Sequence, residues 1–125
     1  MSRADVRFEL LKAHCLAKPG AALDHPWGEF AFKVAGKIFV ITGEGSPLRL
    51  TVKAKTEDQA ALCTHPAIER AAYVGRFGWV TVTVRNTETL RLALDLVDAS
   101  YLLVAPRGKG KRAGTFGRDL RSRTL

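Results

Sequence analysis

The chain has 125 residues, with 20 Lys and Arg against 12 Asp and Glu, a formal net charge of +8. That length holds one core and excludes two independent ones, and burial of roughly two-thirds of the unfolded surface makes a disulfide or metal unnecessary for folding. With 46% apolar and 26% charged residues the composition excludes a disordered or fibrous chain, while the basic excess favours an acidic partner such as nucleic acid.

In chain order, Val6, Leu10, Ala13 and Ala17 recur at helical spacing, with Phe8, Leu11 and Cys15 widening the stripe, and Pro19-Gly20 stops this first helix. Residues 21–28 read as a loop ending His25-Pro26-Trp27-Gly28. The period then switches to two. Phe30, Phe32 and Val34 form a strand, and Ala35-Gly36 is placed for a two-residue hairpin. Lys37 to Thr42 is a second strand, apolar on both faces. Gly43 to Pro47 is a turn, and Leu48, Leu50 and Val52 alternate along a third strand.

Thr56 and Gln59 fit a capping box that starts a short helix through Cys63. His65-Pro66 interrupts it, and residues 67–71 can add one turn. Ala72-Tyr73-Val74 reads as a short strand, Gly75 to Gly78 as a turn, and Trp79 to Arg85 as a strand with Val80, Val82 and Val84 on one face. Asn86 or Thr87 caps a last helix with Leu90, Leu94, Val97, Tyr101 and Val104 as its buried stripe, ended by Pro106. The expected order is α-β-β-β-α-β-β-α: an α+β, two-layer domain over residues 1–106, with one antiparallel five-stranded sheet and helices on one face.

Charge is unevenly spread. From Arg107 onward seven cations face Asp119 alone, so residues 107–125 carry +6 and residues 1–106 only +2. The tail holds Lys109, Lys111 and Arg112 among Gly108, Gly110, Gly114 and Gly117, a composition expected to be disordered in isolation. The first residues lack the apolar stretch of a signal peptide, and Lys33 and Lys37 break the most apolar run, Phe30 to Thr42. With two cysteines and no such segment, a reduced cytoplasmic monomer without a membrane role is the expectation.

The order of elements, with Lys18-Pro19-Gly20, His25-Pro26-Trp27-Gly28, Phe32-Lys33-Val34, Gly36-Lys37-Ile38-Phe39, Leu50, Lys53, Tyr73, Trp79-Val80 and Ser100-Tyr101 with Val104, resembles the MmcQ/YjbR family over roughly residues 8–105. The resemblance implies a secretion-chaperone-like or frataxin-like (CyaY-like) two-layer domain and a DNA-binding role ascribed to a double wing of strand pairs. It supplies no catalytic residues. Many members place a basic residue and then His just ahead of the Trp. Here the run is Arg76-Phe77-Gly78-Trp79, so Arg76 keeps the basic position and the His is absent.

Strand alternation sends Lys33, Arg49, Thr51, Lys53, Thr81, Thr83 and Arg85 to the face away from the helices, with Trp79 in phase. Cations to neutralise phosphates, hydroxyls to bond them and an indole to stack on a base make a nucleic-acid platform. The same residue types also furnish the solvated face that antiparallel sheets commonly leave open. The basic tail can track phosphates through counterion release, or act as a solubilising appendage.

His14-Cys15, His25 and Cys63-x-His65 hold zinc-type ligands but no C-x-x-C or H-x-x-x-H pair, so no metal or other cofactor is expected. Asp98 and Ser100 do not share a helical face, and no phosphate-binding glycine motif or catalytic triad is visible, so no enzyme is expected. The His25–Gly28 loop reads as a structural corner, with a ligand pocket as its other reading. The leading expectation is non-catalytic binding of the DNA or RNA phosphate backbone by the sheet face and tail. Arg76, Lys109, Lys111 and Arg112 join Lys33, Arg49, Lys53, Trp79 and Arg85 as its residues. The alternative is a chaperone-like module that binds a partner peptide, with no nucleic-acid role.

Overall fold

The computed structural model describes residues 3–25, 29–43 and 45–106. Its elements are α1 (Arg3–Leu16), β1 (Ala21–Asp24), β2 (Phe30–Val34), β3 (Lys37–Thr42), β4 (Leu48–Val52), α2 (Thr56–Leu62), β5 (Ile68–Arg70), β6 (Val80–Val84) and α3 (Thr87–Val104), with a turn of 3-10 helix at Gly75–Phe77. The strands form one open antiparallel sheet in the order β1-β2-β3-β4-β6-β5, and α1 and α3 pack against it. The expected α+β, two-layer architecture is therefore present. The strand count is six rather than five.

The sixth strand is β1, where a loop was expected. Ala21 to Asp24 have little strand propensity of their own, and pairing with β2 from Ala21↔Val34 to Asp24↔Ala31 makes them a strand. The fifth strand also moves. It lies at Ile68–Arg70, where a helical turn was expected, and Ile68 is buried opposite Val82. Ala72 to Val74 cannot extend, because Tyr73 sits at φ 63°.

Local chemistry explains the junctions that the sequence placed correctly. Ala35 and Gly36, at φ 52° and 79°, form the two-residue hairpin joining Val34 to Lys37. Asn86 caps α3: its side chain accepts from Thr89 N–H at 2.8 Å, and Thr89 Oγ1 accepts from Asn86 N–H at 3.1 Å. The capping box expected on α2 is absent. Lys55 is its N-cap, without a side-chain bond. Gln59 is turned elsewhere, donating to the carbonyls of Gly75 at 2.6 Å and Trp79 at 2.9 Å.

Leu48, Leu50, Val52, Val80, Val82 and Val84 alternate inward along β4 and β6 and are almost completely buried. The β2–β3 register shifts between Phe32, which pairs with Val40, and Lys33, which pairs with Ile38; Phe39 is the extra residue of β3, and Phe39 and Val40 are both buried. That bulge explains how a strand apolar on both faces contributes two successive residues to one core. On α1 the buried face is Phe8, Leu11 and Cys15, while Val6 and Leu10 are half exposed. The single wide stripe expected on this helix is thus only partly buried: Val6, Leu10, Ala13 and Ala17 lie on the exposed side. The widening residues meet the sheet instead, where Phe8 packs on Phe30 at 4.8 Å. Among the described residues no helix is long and apolar enough to cross a membrane.

Candidate nucleic-acid interface

Register places the outward residues. Opposite the inward valines and leucines, Arg49 pairs in register with Thr83, and Thr51 with Thr81. Thr51 and Thr81 hydroxyls hydrogen-bond to each other at 2.8 Å. Arg49 reaches over β6 to form an ion pair with Glu69 on β5. Beside these residues lies a shallow hollow of about 370 Å³ whose lining includes Glu29, Ile41, Arg49, Thr51 and Thr81.

Lys33, on β2, is two strands from Arg49. Its Nζ lies 3.0 Å from Asp24 Oδ2 across the β1–β2 pair. The Lys33 hydrogen bond, with a further one from His25 N–H, holds the Asp24 carboxyl below its usual range. Two of the expected phosphate-binding cations thus have carboxylate partners. The sheet face is mixed in charge rather than uniformly cationic.

The remaining residues are spread around the sheet. Arg85 is exposed at the far end of β6, and its backbone N–H is held by Thr89 Oγ1 at 2.8 Å. Trp79 is half-buried at the near end, where its carbonyl accepts from Ala71 N–H as well as from Gln59. Lys53 leaves the strand and lines a groove between α2 and α3. Arg76 lies in the 3-10 turn, with its guanidinium carbon 4.7 Å from the Phe77 ring centroid. Lys109, Lys111 and Arg112, with the rest of the tail, lie outside the described residues, as does the Pro26–Gly28 part of the corner loop.

A second grouping, only partly anticipated, forms where the β5–β6 connection meets the end of β4. Gly78, at φ 98°, is seated against the backbone of Ala54 to Thr56: a Cβ there would come within 2.2 Å of the Ala54 carbonyl oxygen. Arg70 lies over Gly75, where an added Cβ would meet its Cγ at 2.5 Å. Lys53, Lys55, Arg70 and Arg76 therefore belong to one corner, and among the described residues no carboxylate forms an ion pair with any of them. The corner also carries Tyr73, 98% exposed, and Phe77, 53% exposed. Alternation missed Arg70 because its strand, β5, reads as a helical turn in the sequence, and missed Tyr73 because it lies beyond the strands. The available signal was two aromatics and two arginines within eight residues.

The other chemistry-bearing residues do structural work. The Cys15 thiol is buried, and burial pushes its pKa up to about 12. Ser100 Oγ donates to the Phe39 carbonyl at 2.7 Å and accepts from Lys53 N–H at 2.9 Å. Asp98 accepts from His14 Nε2 at 2.7 Å and pairs with Lys18, joining α1 to α3. His65 Nδ1 accepts from Ala67 N–H at 3.0 Å. Among the described residues no three His, Cys, Asp or Glu side chains group as metal ligands.

Residues 16–103 match a family model described as YjbR. The fold is similar to the crystal structure of a protein from Pseudomonas syringae, a Northeast Structural Genomics Consortium target. That similarity has a TM-score of 0.62 and 18% identity, and covers 83% of this chain and 99% of the other. A comparison with curated proteins finds no match.

Proposed function

The chain belongs to the YjbR family, and from that premise we propose that it binds nucleic acid without catalysis, holding phosphates through its basic tail and its cationic surface. The observation that carries this reading is the division between paired and unpaired charge. On the sheet, Lys33 and Arg49 face Asp24 and Glu69. Exposed pairs of this kind contribute little, so a phosphate can compete for their cations. At the corner, Lys53, Lys55, Arg70 and Arg76 need no such exchange. The tail adds a net +6 whose sequence offers one carboxylate, Asp119. Binding of this type is driven by release of counterions and carries little sequence preference.

The test is a titration of full-length protein against duplex DNA at several salt concentrations. Steep salt dependence is expected. Replacing Lys109, Lys111 and Arg112 together with Gln is expected to flatten the log-affinity against log-salt slope by roughly three units, at about 0.9 per phosphate contact. Absence of binding at low salt, to duplex or single strand, overturns the reading.

A second reading has one observation in its favour. Between α2 and α3 runs an apolar groove of about 630 Å³ lined by residues that include Leu62, Leu96, Leu102 and Leu103, and Leu102 is 75% exposed. A groove of this kind suits the apolar face of a partner segment. A partner held there would stay bound at salt concentrations that release nucleic acid.

A further inference from the structure

We infer that the β5–β6 connection is a base-stacking platform for single-stranded nucleic acid, with Tyr73 as the stacking side chain and Arg70 and Arg76 as its phosphate contacts. The inference rests on the nucleic-acid reading above and narrows it to one surface and one form of the polymer.

Four observations converge. Tyr73 is 98% exposed, so its ring gains almost nothing from packing within the chain. It also stands in an unfavourable backbone state. At φ 63° it is the central residue of a γ-turn closed by Val74 N–H to Ala72 C=O at 2.6 Å, a form that is rare and strained for a bulky side chain. Strain on a residue with no compensating packing points to a use outside the fold.

The platform is also held rigid. Gln59 donates to the carbonyls of Gly75, which opens the 3-10 turn, and of Trp79, two residues beyond it, clamping the connection to α2. Gly78 fits against the Ala54–Thr56 backbone without room for a methyl group. A stacking ring on a fixed turn loses little entropy when a base arrives, which favours affinity.

Charge completes the site. Arg76 lies on the Phe77 ring, a cation–π contact that keeps its guanidinium beside an exposed aromatic face. Arg70 lies across the turn at Gly75, and neither arginine has a carboxylate partner among the described residues. Aromatic faces interleaved with cations suit unstacked bases on a phosphate backbone. A duplex keeps its bases stacked on one another and offers Tyr73 no free face.

The full-length protein is titrated by fluorescence anisotropy with end-labelled oligothymidylate and oligouridylate of about 12 nucleotides, within the ~4–16 nucleotide sites of single-strand binders, and with a DNA duplex of equal length. Either single strand is expected to bind more tightly than the duplex at equal salt, and a difference between the two assigns the sugar preference. Tyr73→Ala is expected to weaken single-strand binding by about 5- to 150-fold, the range for losing one base stack. The salt slope should stay unchanged, and Tyr73→Phe should restore affinity. Arg76→Gln is expected to lower that slope by about 0.7, as for one lost phosphate contact on a single strand.

A Tyr73→Ala protein that binds like the wild type overturns the platform while leaving nucleic-acid binding intact, as does tighter binding of the duplex. Failure of the wild-type protein to bind any of the three at low salt overturns both readings. The melting temperature of Tyr73→Ala, expected to match the wild-type value because the exposed ring is lost while the backbone strain stays, separates loss of binding from loss of fold.

Discussion

Tyr73 and Gly78 stand five positions apart, and both adopt positive φ, with opposite consequences for substitution. At Gly78 the left-handed backbone is combined with a contact that leaves no space, since a Cβ would fall 2.2 Å from the Ala54 carbonyl oxygen. Gly78→Ala is therefore expected to destabilise the fold by about 3 kcal/mol, combining backbone strain with overpacking. At Tyr73 the side chain is exposed and only the strain remains. Tyr73→Gly is expected to be neutral or to stabilise by up to about 1 kcal/mol, as relief of strain offsets the entropy of the added glycine. Chemical denaturation of the two variants measures both. The sequence offered Gly78 as a turn residue, which it is. The identity of what it rests against was not legible, because Ala54 lies 24 positions away. Lys33 and Arg49 were similarly placed by alternation, yet their partners Asp24 and Glu69 come from a strand read as loop and from one read as helix.

At the scale of elements, polar side chains repair backbone that the ladder leaves open. The bulge in β3 takes Phe39 out of register with β2, and β4 ends at Val52. Ser100, fully buried on α3, then bridges the two strands through its hydroxyl: it accepts from Lys53 N–H and donates to Phe39 C=O. Ser100→Ala leaves a buried donor and acceptor unpaired, each at a cost of about 1–3 kcal/mol. Denaturant unfolding is expected to show a loss of about 2–4 kcal/mol, larger than the usual effect of a buried Ser→Ala change. Gln59 has a similar role between α2 and the β5–β6 connection. Thr56 and Gln59 matched a capping pattern because the spacing is the same. A tertiary demand from two carbonyls took the amide instead. Elements with a strong local signature were read correctly, notably the Ala35-Gly36 hairpin, the valine alternation of β6 and the Asn86 cap. Short, weakly patterned pieces such as β1 and β5 were not, since their pairing comes from a neighbouring strand.

For the whole molecule, the helical layer is tied together by a small polar cluster. Asp98 on α3 receives hydrogen bonds from His14 on α1 and from Lys18 just after it, and the Tyr101 hydroxyl donates to the Pro19 carbonyl. Burial opposes ionisation of Asp98, but the Lys18 and His14 hydrogen bonds outweigh it and hold its carboxyl below the ordinary value of 3.8. A depressed carboxyl pKa stabilises the folded state above the unfolded value, and that contribution is lost as pH falls through the folded one. Wild-type stability is therefore expected to decline below about pH 4, and Asp98→Asn to flatten that acid limb in thermal melts taken across the range. Chain order alone determined the α+β class, the two layers, most strand faces and the concentration of charge at the end of the chain. Periodicity, turn chemistry and composition are local properties, and each of those features follows from them. Only the tertiary structure decided which cations have partners and which part of the α1 stripe is buried. It alone brought Lys53 and Lys55 to the corner where Arg70, Tyr73 and Arg76 lie. Those outcomes depend on contacts between residues far apart in the chain, which no local pattern encodes.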